Sequence, residues 1–154
     1  MSFDYANARL NLASGALHLL APTHFEEINL SNVPVIAIVD DDESFRQAAV
    51  RLIRSLGYAT AAFASAEAFL HSDRGHDVDC LITDVQMPGM TGIQLQSQLI
   101  GQGRKLPIIF VTAFPEMKPR ERALAAGAVG FLDKPFSDEK LITCLNQALG
   151  ARSV

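Results

Sequence analysis

Short apolar runs alternate with helical patterns along most of this 154-residue chain, and no other feature restricts its fold as much. The runs are Val35–Val39, Tyr58–Phe63, Cys80–Thr83, Pro107–Thr112 and Val129–Leu132. Between the first two, Glu43–Leu56 has apolar residues at 45, 48, 49, 52, 53 and 56, a helical stripe, and Gly57 follows as its C-terminal stop. Ser65 is placed to cap a short helix, Ala66–His71. Gly92–Gly101 reads as helix, with Ile93, Leu95 and Leu99 apolar. Pro119 suits the first turn of a helix running to about Ala126, where Gly127 stops it. Ser137 caps a last helix, Asp138–Leu149, with Asp138 and Glu139 at its positive end.

Strands alternating with helices make an α/β domain, a parallel sheet covered on both faces. The near-continuous apolar character of 35–39 and 108–111 fits central strands buried on both sides. Right-handed crossovers restrict the topology to a doubly wound (βα)5 sheet, and the flavodoxin-like order 2-1-3-4-5 suits five strands. That order sets the first and third strands side by side. Residues 33–150 then form one domain, 151–154 a tail, and 1–32 an N-terminal extension. In the extension Leu10, Ala13, Leu17 and Leu20 recur at helical spacing, broken by Ser14-Gly15. It reads as an amphipathic helix, a poorly ordered extension, or the product of a misassigned start. It lacks the positive n-region of a secretory signal.

Composition bounds the function classes. With 49% hydrophobic and 19% charged residues the chain is globular, and its net charge of −4 argues against a stand-alone nucleic-acid binder. No apolar stretch approaches the roughly 20 residues of a membrane span. Cys80 and Cys144 show no metal spacing and read as reduced core thiols of a cytoplasmic protein.

Chemistry gathers where the apolar runs end. The first runs into Asp40-Asp41-Asp42, the third into Asp84, the fourth into Thr112, and the fifth leads through Asp133 to Lys134-Pro135. Ligands of open parallel sheets bind outside the carboxyl ends of the strands. Carboxylates, a hydroxyl and a lysine converging there suit a divalent cation beside a phosphoryl group. Mg²⁺ takes oxygen ligands and keeps several waters. Asp41 and Asp84 would ligate directly, Asp40 directly or through water, and the backbone carbonyl of Gln86 would add an oxygen. Asp84 is the candidate nucleophile on phosphorus. Lys134, the Thr112 hydroxyl and the Ala113 amide would bind the phosphoryl oxygens. Each residue has a plainer reading taken alone: helix-end acids, a strand threonine, a loop lysine. Pro135 fits a tight turn, with a cis peptide as one option.

The set as a whole resembles the receiver domain of two-component response regulators. The matching segments are Val39-Asp40-Asp41-Asp42, Asp84 to Gly92, Val111-Thr112-Ala113, Ala126-Gly127-Ala128 and Lys134-Pro135-Phe136. Gaps of 43, 28 and 22 residues separate Asp41, Asp84, Thr112 and Lys134, and the ordered set is specific although no single element is. The wording is closest to receivers of regulators with a C-terminal helix-turn-helix. The resemblance implies that a histidine kinase or phosphotransfer protein donates a phosphoryl group to Asp84 with Mg²⁺. It implies a switch in which Thr112 moves toward the phosphoryl group and Phe131 turns inward. It also implies self-association through the helix after Pro119 and the fifth strand, and no turnover of a separate substrate.

Two other readings use the same residues. A haloacid-dehalogenase-type phosphatase also uses Asp, Thr, Lys and Mg²⁺, but expects a second acid where Gln86 stands. A degenerate receiver would serve as a constitutive scaffold, which the intact Asp41, Asp84, Thr112 and Lys134 oppose. Gln86 and Phe114 flank the site at variable positions and are expected to tune dephosphorylation. Pro119 is expected to shorten its helix. No effector domain follows Val154, so the chain reads as a single-domain regulator or a fragment of a longer one.

Overall fold

The apolar runs form a single parallel sheet in the computed structural model, which describes residues 32–150. The strands are β1 (Val35–Val39), β2 (Ala59–Phe63), β3 (Cys80–Asp84), β4 (Ile108–Thr112) and β5 (Gly130–Asp133), in the order β2-β1-β3-β4-β5. The helices are α1 (Glu43–Ser55), α2 (Ala66–His71), α3 (Gly92–Gly101), α4 (Met117–Ala125) and α5 (Asp138–Gly150). The α/β doubly wound expectation therefore holds in element order and in strand order. The expectations for 1–31 and 151–154 lie outside the described residues.

Alternation along the strands sends successive side chains to opposite faces. Ile36, Ile38, Ile82, Ile109 and Val111 join Ala49 and Ile53 of α1 and Leu141, Cys144, Leu145 and Ala148 of α5. Ala37, Val39, Leu81 and Phe110 join Phe69 of α2, Leu95 and Leu99 of α3, and Ala123 of α4. Both cysteines are buried. No helix among the described residues is long and apolar enough to cross a membrane.

The helix signals act as their residue types require. Asp42 caps α1 by accepting from the Ser44 and Phe45 amides, and Ser65 caps α2 by accepting from Ala68. Thr91 and Gln94 form a reciprocal capping box on α3. Gly57 and Gly127 follow α1 and α4 with φ of +94° and +99°, the left-handed region that glycine enters without a Cβ penalty. The helix containing Pro119 runs from Met117 to Ala125, so the proline stands in its first turn as expected. Pro119 is its third residue, where a missing N–H removes no intrahelical bond. A 3-10 turn at Asp73–Asp77 has no counterpart in the sequence reading.

Register decides what meets at the carboxyl edge. Val39 pairs with Thr83, so Asp40 follows on a level with Asp84 at the end of β3. Asp84 pairs with Val111, and Thr112 with Asp133, which sets Thr112 and Lys134 just beyond.

Candidate functional site at the carboxyl edge of the sheet

Three carboxylates from two adjacent strand ends converge here. One oxygen each from Asp40, Asp41 and Asp84 lies within 4.8 Å of the other two. Asp40 is fully buried, Asp84 is 8% exposed, and Asp41 is exposed. Lys134 reaches in from the loop after β5. Its Nζ lies 2.6 Å from Asp40 Oδ2 and 3.3 Å from Asp84 Oδ2. The lysine's own amide donates to the Thr112 carbonyl at 2.7 Å, which ties this loop to the end of β4. The Lys134–Pro135 peptide is cis.

Both Asp40 oxygens are engaged. Oδ1 accepts from the Asp42 amide at 2.9 Å, and Oδ2 takes the lysine. The Arg46 guanidinium donates to the Asp40 carbonyl at 2.7 Å, so α1 grips the β1 terminus from a second side. Asp84 Oδ1 accepts from the Gln86 amide at 3.1 Å, which holds residue 86 against the carboxylate.

Burial pushes the Asp84 carboxyl above its ordinary range. Lys134 and the Gln86 amide pull the other way, and the Asp40 charge adds to the rise. An acid raised this way bears its negative charge at a desolvation cost, which a cation would relieve. Three hard oxygen donors, one of them facing solvent, also match the chemistry of Mg²⁺. The residues present therefore fit that ion.

Thr112 is buried, and its hydroxyl is occupied by its own loop: it accepts from the Phe114 amide at 3.1 Å and faces the Phe114 carbonyl at 3.3 Å. Ala113 is exposed beside it. Phe131 lies inward already, 7% exposed, stacked on Phe110 at 5.9 Å with the Arg120 guanidinium 5.8 Å from its ring centre. The Phe110 stack and the arginine hold the ring in that inward position.

Further positioning elements complete the site. Glu67 of α2 accepts from the Met90 amide at 2.6 Å and anchors the loop between Asp84 and α3. Gly92 packs against the Asp84 backbone so closely that a Cβ would stand 2.1 Å from the Asp84 carbonyl oxygen. Phe45 covers the lysine, with Nζ 3.9 Å from its ring centre. The Gly-rich wording of 89–92 was a signal for the second; for the other two no local pattern exists.

An acidic cluster with a reaching lysine, at the carboxyl edge of a sheet in this order, defines a receiver domain. The chain belongs to the response regulator receiver domain family, whose model matches residues 36–146. It is similar to the response regulator protein TodT of Pseudomonas putida, 40% identical over 115 residues that cover 75% of this chain and 51% of that protein. Nodulation protein W of Bradyrhizobium diazoefficiens is 38% identical over 112 residues, 73% of this chain and 49% of its own. Among solved structures, a receiver protein from Burkholderia phymatum matches with a TM-score of 0.66 and 42% identity, covering 76% of this chain and 95% of that one. The structure described as FixJ-N matches with a TM-score of 0.69 and 34% identity, covering 76% and 94%. The chain spans about half the length of the curated relatives it matches.

Proposed function

We propose that this chain accepts a phosphoryl group on Asp84 and uses it to switch partner binding. The observation that carries the reading is the Asp84 carboxylate, buried at an open sheet edge between Lys134 and the Asp40–Asp41 pair. The donor is the phosphohistidine of a sensor histidine kinase or a phosphotransfer protein. An Asp84 oxygen forms a bond to phosphorus as the phosphorus–nitrogen bond breaks, and the departing imidazole keeps the electron pair.

Asp41, Asp84 and the Gln86 carbonyl would hold Mg²⁺. Asp40, the fully buried one of the three acids, would contribute directly or through a water. When bound, the ion supplies positive charge to the phosphoryl oxygens, and such transfers depend mainly on positioning and charge neutralisation. Lys134 supplies a second charge as a mobile point donor. The Ala113 amide and the Thr112 hydroxyl donate to the remaining oxygens, once Thr112 releases the Phe114 backbone. Exposed Ala113 leaves the approach open to donor and water, and exposed Gln86 and Phe114 border it.

The output is a shift between two packings of Thr112, Phe131 and the α4–β5 face, through which phosphorylated copies would associate. The names of relatives such as the transcriptional regulatory protein FixJ support control of transcription as the output. The domain acts in signalling in the cytoplasm and turns over no separate substrate.

Intact-protein mass spectrometry after incubation with acetyl phosphate and Mg²⁺ tests the acceptor. One hydroxylamine-labile phosphoryl adduct is expected on the wild type and none on Asp84→Asn. Equal uptake by the variant would remove Asp84 from the role, and a folded wild type that takes up nothing would favour a constitutive scaffold.

A further inference from the structure

Lys134 has three N–H bonds, and two carboxylates account for two of them. The third side of the ammonium is covered by an aromatic face: Nζ is 3.9 Å from the Phe45 ring centre, well inside the range of about 6 Å over which a ring quadrupole attracts a cation. That ring is itself fixed. Phe45 is the third residue of α1, and its amide donates to Asp42 Oδ1 at 3.2 Å. Its ring meets Phe136 edge to face, centroids 6.0 Å apart at 75°. Phe136 follows Lys134-Pro135, so one aromatic pair joins the start of α1 to the loop that carries the lysine.

We propose that Phe45 is a positioning residue for phosphoryl transfer: its ring face keeps the Lys134 ammonium over Asp84 while the ammonium changes partners. The inference rests on the roles proposed above for Asp84 and Lys134. When an Asp84 oxygen bonds to phosphorus, the negative charge that held Nζ moves outward onto the phosphoryl oxygens. The ion pair present before transfer is therefore not the one present after it. Attraction to a ring face has little directional demand, so Nζ can swing from the carboxylates to a phosphoryl oxygen without leaving the ring. Half-buried Phe45 also shields one flank of the ammonium from water, which strengthens its remaining charge contacts.

The test compares the 154-residue wild type with Phe45→Leu, Phe45→Tyr, Lys134→Ala and the Phe45→Leu/Lys134→Ala double variant. Acetyl phosphate is the donor at saturating Mg²⁺: the Asp84 oxygen–phosphorus bond forms, the donor's phosphorus–oxygen bond breaks, and acetate leaves with the electron pair. Initial rates of adduct formation are read by intact mass. Phe45→Leu keeps apolar bulk without a ring face and is expected to slow uptake about three- to tenfold, the size of a partly desolvated cation–π contact. Phe45→Tyr should stay within about twofold of wild type. Phe45→Leu should add nothing in the Lys134→Ala background, because the ring acts through the lysine. A second readout does not depend on turnover: the Lys134 ε-methylene protons should resonate upfield in the wild type and Phe45→Tyr, and lose that ring-current shift in Phe45→Leu. A wild-type rate in Phe45→Leu, equal slowing in both backgrounds, or no upfield shift in the wild type would each overturn the role of Phe45. If the wild type takes up no phosphoryl group, the Asp84 reading fails and this inference fails with it.

Discussion

Gly92 and Glu67 show how the acceptor is held from behind. In an open helix an alanine outperforms glycine by roughly 0.5–1 kcal/mol. At Gly92 the sign reverses, since a Cβ meets the Asp84 carbonyl oxygen at 2.1 Å and the backbone around the acceptor must shift. Gly92→Ala is expected to destabilise the fold by about 1–3 kcal/mol, the range for overpacking, read as a lower urea midpoint at unchanged slope. A stabilised variant would show that the strand end has room to give. Glu67 is held below the ordinary glutamate range, first by the Met90 amide it accepts from. A carboxylate with a depressed folded pKa contributes stability that is fully present above its unfolded pKa and lost as pH falls through the lowered folded value. The stability difference between wild type and Glu67→Gln should therefore be constant near neutral pH and shrink on the acid side of the ordinary glutamate range. A difference independent of pH would contradict the loop anchor. Asp84 has the opposite sign: with its folded pKa raised by burial, its contribution is fully present below the unfolded pKa and is lost as pH rises through the folded one, a loss that a bound cation would offset.

Among the described α-helices, α4 has the fewest buried residues. Of its nine residues only Ala123 is buried, and Glu116 at its N-cap makes no side-chain capping bond. By contrast α5 buries Leu141, Cys144, Leu145 and Ala148. One buried polar contact does reach α4: the Gln96 amide of α3 donates to the Ala123 carbonyl at 3.1 Å. Phe114 and Met117, at 66% and 73% exposure, lead into this helix from the Thr112 loop. An element with few buried contacts opens at low free energy. Backbone amides of Met117–Ala125 are expected to exchange on the order of tenfold faster than those of Asp138–Gly150, and Gln96→Leu should speed the last turn of α4 further. Equal protection of the two helices would mean that α4 is no looser than the rest, and a switch there would need another source of plasticity. The proposed release of Thr112 from the Phe114 backbone starts at the N-terminal end of this same helix.

At the scale of the molecule, what could be read in the sequence is what period and strand-end position encode. Apolar runs of strand length, helical stripes and caps specify a doubly wound sheet, and a doubly wound sheet specifies its edge. Asp40, Asp84 and Thr112 are legible because each directly follows or closes an apolar run, and Lys134 because it stands two residues beyond one, where a parallel sheet collects its chemistry. Boundaries slipped where packing overrides pattern. β5 starts at Gly130 rather than Val129, and a Cβ on Gly130 would stand 2.6 Å from Cys144 Sγ, so a side chain there would force the cysteine to move. Glu67, Phe45 and Arg46 were illegible for another reason: each acts on a residue of another element, Glu67 at a separation of 23 positions, and no periodicity records such a contact. The turn at Asp73–Asp77 is polar and short, without a repeating pattern to announce it.

The most direct test of the account is the covalent address of the phosphoryl group. The wild-type chain would be phosphorylated by an autophosphorylated histidine kinase with Mg²⁺, reduced with borohydride, digested and sequenced by mass spectrometry. The account predicts homoserine in place of Asp84 and aspartate unchanged at 40, 41 and 42. Reduction at one of those three, or a phosphoryl group found elsewhere in the chain, would contradict it.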